Sequence, residues 1–127
     1  MSAIREVMTE RLITVEPATS VAAAVTVMGM ERVGALLVME GLRLEGIFTE
    51  RDLVRALSYD IGASAQSVAQ WMTRDPVTAG PETSVERALE LMLAGNFRHL
   101  PVTAGDRVVG IVSIRDLSRA QLDAIDP

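Results

Sequence analysis

Two short stretches carry most of the chemistry this sequence can offer, Thr49-Glu50-Arg51-Asp52 and Ser113-Ile114-Arg115-Asp116. In each, a hydroxyl stands three residues before a carboxylate and follows a Gly-Ile pair, Gly46-Ile47 or Gly110-Ile111. If such a stretch ends a strand and opens a helix, the hydroxyl and the free N–H groups of the first turn suit phosphate or ribose oxygens. An ionised carboxylate only accepts hydrogen bonds, so Asp52 or Asp116 can take both hydroxyls of a ribose. The same spacing is also a plain helix cap, with a total value of about 1 kcal/mol. The residues alone leave both readings open.

Other chemistry is scarce. The chain has no Cys, one His and one Tyr, and no pairing of nucleophile and base is recognisable. No enzyme activity, no metal site and no required cofactor are expected. Twelve basic against seventeen acidic side chains give a net charge of −5, which argues against a nucleic-acid surface. The longest apolar stretch, residues 21–30, is about half of the roughly twenty residues a membrane span needs. With no apolar signal core at the N-terminus, the expected location is the cytoplasm.

The elements that must position these groups come in two copies. At one constant offset Met8-Thr9 recurs as Met72-Thr73, and Pro17, Thr19, Ser20 and Val21 recur as Pro81, Thr83, Ser84 and Val85. Gly41 and Arg43 recur as Gly105 and Arg107, and Arg51-Asp52-Leu53 recurs as Arg115-Asp116-Leu117. Such a register sets two domains, 1–60 and 61–127. Each copy predicts a short first strand, at 12–15 and 77–78, stopped by Pro17 or Pro81. A helix capped by Ser20 or Ser84, or by the Thr before each, follows, with an apolar stripe at Val21, Ala24, Val25 and Met28 or Val85, Ala88, Leu89 and Met92. Gly34 and Gly95 lie near the helix ends. The runs 35–39 and 100–102 read as buried strands, and 43–48 and 107–112 as third strands entered through turns at Gly41 and Gly105. Second helices open near Glu50 and Ile114. Ser67 is positioned to cap a short helix that reaches Trp71 and Met72, and residues 4–8 repeat that feature. Gly46 and Gly110 allow close approach of a ligand or a neighbouring strand. Trp71 and the methionines at helical spacing read as core.

The β-α-β-β-α order, the pairing of copies and the Gly-hydrophobic-x-(Thr/Ser)-x-x-Asp motif in each copy resemble the cystathionine-β-synthase (CBS) domain family in its tandem form, the Bateman module. The resemblance covers residues 3–120. It implies an α/β (α+β) fold of two pseudo-symmetric repeats packed through their sheets, with ligand clefts between the repeats. In one cleft the resemblance joins Thr49 and Asp52 with Val77, Phe97, Arg98 and His99. In the other it joins Ser113 and Asp116 with Ile13, Val33, Gly34 and Ala35. The apolar residues would hold an adenine, and Arg98 a phosphate, so the Thr49/Asp52 cleft is expected to bind more tightly.

The function implied is that of a stand-alone regulatory module. It would bind AMP, ADP or ATP, or a relative such as S-adenosylmethionine or NADH, and modulate a partner protein, as an energy sensor does. A scaffold that dimerises without a ligand is the alternative. A homodimer through the second helices is expected, with Leu53, Val54, Ala56 and Leu57 and with Leu117, Ala120 and Ala124 on their apolar faces.

Overall fold

Helix α1, Val21–Glu31, starts where Ser20 Oγ accepts the Ala23 N–H at 3.1 Å, and helix α3, Val85–Gly95, starts where Ser84 Oγ accepts the Arg87 N–H at 3.0 Å. Both caps thus satisfy a backbone donor that the helix itself leaves orphaned. The helices stop at Arg32 and Asn96, each in the left-handed region at φ 56°, and not at the nearby glycines. Replacing Ser20 or Ser84 by alanine should lower stability by about 0.5–2 kcal/mol. Urea unfolding reads this directly, and an unchanged midpoint in both variants would contradict the capping role.

The structure is a computed structural model that describes residues 2–125. Among these residues the chain is mixed α+β, with four α-helices and two sheets. It divides into two compact units, one of residues 13–76 and one that joins residues 1–12 to 77–127. The repeats expected from the sequence, 1–60 and 61–127, and the packed units are therefore different objects.

In the 13–76 unit, β1 (Thr14–Val15), β2 (Ala35–Glu40), β3 (Arg43–Thr49) and β4 (Thr73–Arg74) form one sheet in that order. β1 runs parallel to β2; the β2–β3 and β3–β4 pairs are antiparallel. Helix α2, Glu50–Tyr59, follows β3 without a loop. Leu36, Val38, Phe48, Val21, Ala24, Met28, Val68 and Met72 form the core. The alternation along β3 explains Phe48, and the i, i+3, i+7 stripe of α1 explains the rest of the helix contribution.

The other unit has the same plan. β5 (His99–Ala104) and β6 (Arg107–Ser113) form an antiparallel hairpin, and helix α4, Ile114–Ile125, follows. The expected first strand at 77–78 is reduced to a single parallel bridge, Ala79 to Val102. Pro76 and Pro81 close this stretch on both sides and leave no room for a longer ladder. Its core is Ile4, Val85, Ala88, Met92, Leu100, Val102, Val112 and Leu117. Gly41 and Gly105 sit at φ 61° and 64° in the two hairpin turns, as expected.

A short turn docks on each unit from the other repeat. Residues Ile4–Glu6 form a 3-10 turn; the Ile4 N–H donates to Thr83 O at 2.8 Å and the Val85 N–H to Ser2 O at 3.0 Å. Residues Val68–Gln70 do the same on the other unit, where the Val68 N–H donates to Thr19 O and the Val21 N–H to Gln66 O, both at 2.8 Å. Ser67 stands at the head of this turn without a side-chain capping bond. Each repeat thus lends its leading turn to the core of the other.

Candidate functional site

Thr49 ends β3 and is the N-cap of α2; Ser113 ends β6 directly before α4. Each forms a reciprocal box with the carboxylate three residues on. The Thr49 N–H donates to Asp52 Oδ2 at 2.9 Å, and the Asp52 N–H donates to Thr49 Oγ1 at 3.3 Å. The Ser113 N–H donates to Asp116 Oδ2 at 3.0 Å, and the Asp116 N–H to Ser113 Oγ at 3.1 Å. Both motifs are therefore capping boxes, which is the bland half of the sequence reading.

The boxes differ in what remains. Thr49 Oγ1 also donates to Asp52 Oδ2 at 3.2 Å, so its proton is used. Asp52 Oδ1 accepts from Arg55 at 3.2 Å, and Asp52 is 6% exposed. Asp116 is half-buried, and among the described residues nothing donates to its Oδ1. Among the described residues the Ser113 hydroxyl donates to nothing, so its proton is left for an outside acceptor.

Hairpin pairing decides what stands beside each box. Ala35 is the register partner of Thr49, and Gly34 O accepts the Glu50 N–H at 3.1 Å. His99 is the partner of Ser113, and Arg98 O accepts the Ile114 N–H at 2.8 Å. The sequence reading joined Arg98 and His99 to Thr49 and Asp52, and Gly34 and Ala35 to Ser113 and Asp116. Within each unit the antiparallel hairpin returns the end of its second strand to the start of its first, so Gly34 and Ala35 lie beside Thr49, and Arg98 and His99 beside Ser113. Arg98 is exposed, and its guanidinium bonds no described residue.

The apolar candidates divide in the same way. Ile13 and Val33 pack against the core of the 13–76 unit, and Phe97 packs against the other core. Val77 is half-exposed. Arg55 and Trp71 were not singled out as functional by the sequence reading. Arg55 donates to Trp71 O at 2.6 Å and lies over the Trp71 ring, 5.7 Å from its centroid. The signal was available: Arg55 recurs as Arg119, but Trp71 corresponds to Val7. Among the described residues no group of His, Cys, Asp and Glu could hold a metal ion, and no helix is long and apolar enough to cross a membrane.

Comparison with known proteins accords with this geometry. The 17.7 kDa protein of the bps2 3′ region of Acidianus ambivalens is 39% identical over 123 residues, covering 94% of this chain and 73% of its own. The CBS domain pair of protein MJ0100, solved with 5′-methylthioadenosine and S-adenosyl-L-methionine, superposes with a TM-score of 0.89 at 25% identity, covering 98% of both chains. CBSX2 solved in complex with AMP superposes with a TM-score of 0.84 at 28% identity, covering 98% of this chain and 99% of its own. A hexameric CBS-CP12 protein of bloom-forming cyanobacteria has a TM-score of 0.88 at 27% identity, covering 100% of this chain and 75% of its own. The CBS domain model matches residues 4–59 and again 68–123, so the chain belongs to the CBS domain family and carries the domain as a tandem pair.

Proposed function

We propose that this chain is a regulatory module that binds an adenosyl ligand of the AMP, ADP or ATP class and passes its occupancy to a partner protein. The observation that carries the proposal is the recurrence of a hydroxyl–carboxylate box at the junction of a strand and a helix, with the start of the neighbouring strand at its side. Relatives of the same fold hold AMP or S-adenosyl-L-methionine. In this reading Asp52 or Asp116 accepts from the ribose, Thr49 or Ser113 and Arg98 meet the phosphate, and Ile13, Val33, Val77 and Phe97 supply apolar contact to the base. Gly34 and Ala35 admit the ligand beside one box, and His99 lies beside the other. The module has no turnover of its own and acts in the cytoplasm.

A thermal-shift panel of AMP, ADP, ATP, S-adenosylmethionine and NADH tests the reading. A ligand at 100 times its dissociation constant adds about 2.7 kcal/mol. The midpoint should rise by several degrees. A flat midpoint across the panel overturns the proposal.

A second reading has its own support. The Thr49–Asp52 box is satisfied within its unit, which is what a purely structural cap looks like. A dimerising scaffold without a ligand would need nothing more. The exposed residues Val54, Leu57, Tyr59 and Ile61, and Leu122 and Ile125, suit self-association under either reading. Leu53, Ala56, Leu117 and Ala120 are spent on their own units. We expect a homodimer. Light scattering at micromolar concentration should give twice 13.7 kDa. A mass of 13.7 kDa overturns the dimer.

A further inference from the structure

We propose that Arg55 closes the Thr49–Asp52 box to ligand, and that the Ser113–Asp116 box is the one that takes the ribose of an adenosine phosphate. This rests on the adenosyl-binding reading above and chooses between its two boxes.

In the Thr49–Asp52 box every strong group is engaged. Asp52 Oδ2 takes two bonds from Thr49, Oδ1 takes one from Arg55, and the Thr49 proton goes to Asp52 itself. A ribose hydroxyl that approaches Asp52 must compete with a charge-assisted bond, and it must do so at a carboxylate that water barely reaches.

Arg55 is not a loose surface cation. It spans two acceptors, Asp52 Oδ1 at 3.2 Å and Trp71 O at 2.6 Å, and its guanidinium covers the indole. The indole is itself fixed, because Trp71 Nε1 donates to Gln66 Oε1 at 2.7 Å and the Tyr59 ring lies 5.9 Å away. Planar stacking and a forked donor are properties of Arg that Lys lacks.

The equivalent groups in the other unit do none of this. Trp71, Tyr59 and Gln66 correspond to Val7, Asp123 and Ser2. Arg119, the counterpart of Arg55, has no ring to cover and bonds no described residue. Among the described residues nothing donates to Asp116 Oδ1 and the Ser113 hydroxyl donates to nothing, which leaves an acceptor and a donor side by side. The exposed Arg98 immediately precedes β5, whose first residue, His99, pairs with Ser113. Acceptor, donor and cation match a ribose hydroxyl and a phosphate, whereas the other box has Gly34 in the place of Arg98.

Titration calorimetry with AMP on the full chain tests this. The parent should bind one AMP per chain. Asp116→Asn should weaken that event at least tenfold. Arg55→Met, which keeps a stem over Trp71 and removes the guanidinium, should add a second and weaker AMP per chain. The double variant Arg55→Met/Asp52→Asn should lose that second event again. A merely structural role for Arg55 would move the unfolding midpoint and leave the stoichiometry unchanged. If AMP binds the parent and Asp116→Asn equally, or if Arg55→Met stays at one site, the inference fails while the adenosyl reading stands. If neither the parent nor Arg55→Met binds AMP, and the ligand panel is flat as well, both fail together.

Discussion

Truncating Ile4 to alanine is expected to cost about 2–5 kcal/mol of stability, the range for a fully buried Leu, Ile or Met. Nothing about the fourth residue of a chain suggests this, since the first residues of most domains are poorly tied down. Here the turn is tied on both sides. The Ile4 and Arg5 N–H groups donate to Thr83 O and Pro81 O, the Val85 N–H donates to Ser2 O, and Thr9 and Ile111 exchange both backbone bonds at 2.9 and 3.0 Å. The Ile4 side chain is fully buried among Val85, Ala88, Met92, Leu100 and Leu117. Alanine would leave a cavity that a hairpin and two helices cannot readily collapse into. Urea unfolding of Ile4→Ala beside Leu100→Ala, a substitution at a fully buried position of β5, should give losses of similar size. A loss below about 0.5 kcal/mol, the level of an ordinary surface change, would show that the turn is not part of the core.

That placement marks where the sequence stops being legible. The repeat fixed the order of elements, because Ser20 and Ser84, the two apolar stripes and the paired glycine turns each act over a few residues. Residues 4–8 and 67–72 were recognisable as copies of one feature. Which core each copy enters was not, because a short turn with one buried aliphatic residue fits either. Ile4 and Val68 carry no mark of their destination; the backbone bonds to Thr83 and Thr19 do, and those exist only once the chain has folded.

The candidate site was legible in its parts and not in its assembly. Thr49, Asp52, Ser113 and Asp116 stand where a strand becomes a helix, as their spacing requires. Within each unit the hairpin register sets which strand start lies beside each box, Gly34 and Ala35 beside Thr49, and Arg98 and His99 beside Ser113. Arg98 comes just before the residue that pairs with Ser113, and its carbonyl accepts the Ile114 N–H. The difference between the boxes depends on a pair of positions, Trp71 and Val7, that lie in the borrowed turns. Their effect on Arg55 and Arg119 could not be read before the exchange of turns was known.

Gly46→Ala is expected to destabilise the fold by about 1–3 kcal/mol, the cost of overpacking a filled site. Intrinsic preference runs the other way, since alanine in a strand interior is favoured over glycine by roughly 0.5–1 kcal/mol. The reason is close approach. A Cβ at Gly46 would lie 2.6 Å from Thr73 O and 2.7 Å from Met72 Sδ. Thr73 O is backbone, held in the β3–β4 ladder where Gly46 pairs with Arg74 and Ile47 with Thr73. It can move only if that ladder opens. Gly110 is the equivalent position, but there a Cβ meets Met8 Sδ at 2.5 Å and Thr9 O only at 3.1 Å. A methionine side chain can swing aside, so Gly110→Ala should cost less than Gly46→Ala. The pair of glycines also explains the recurring Met-Thr, since Met8-Thr9 and Met72-Thr73 are what the two glycines admit. A double-mutant cycle separates the contributions. Met8→Ala should relieve most of the clash in Gly110→Ala and show a favourable coupling. Met72→Ala should relieve little of it in Gly46→Ala, because Thr73 O stays where it is. Equal costs at both glycines, or full rescue of Gly46→Ala by Met72→Ala, would show that the side chain and not the borrowed backbone sets the limit.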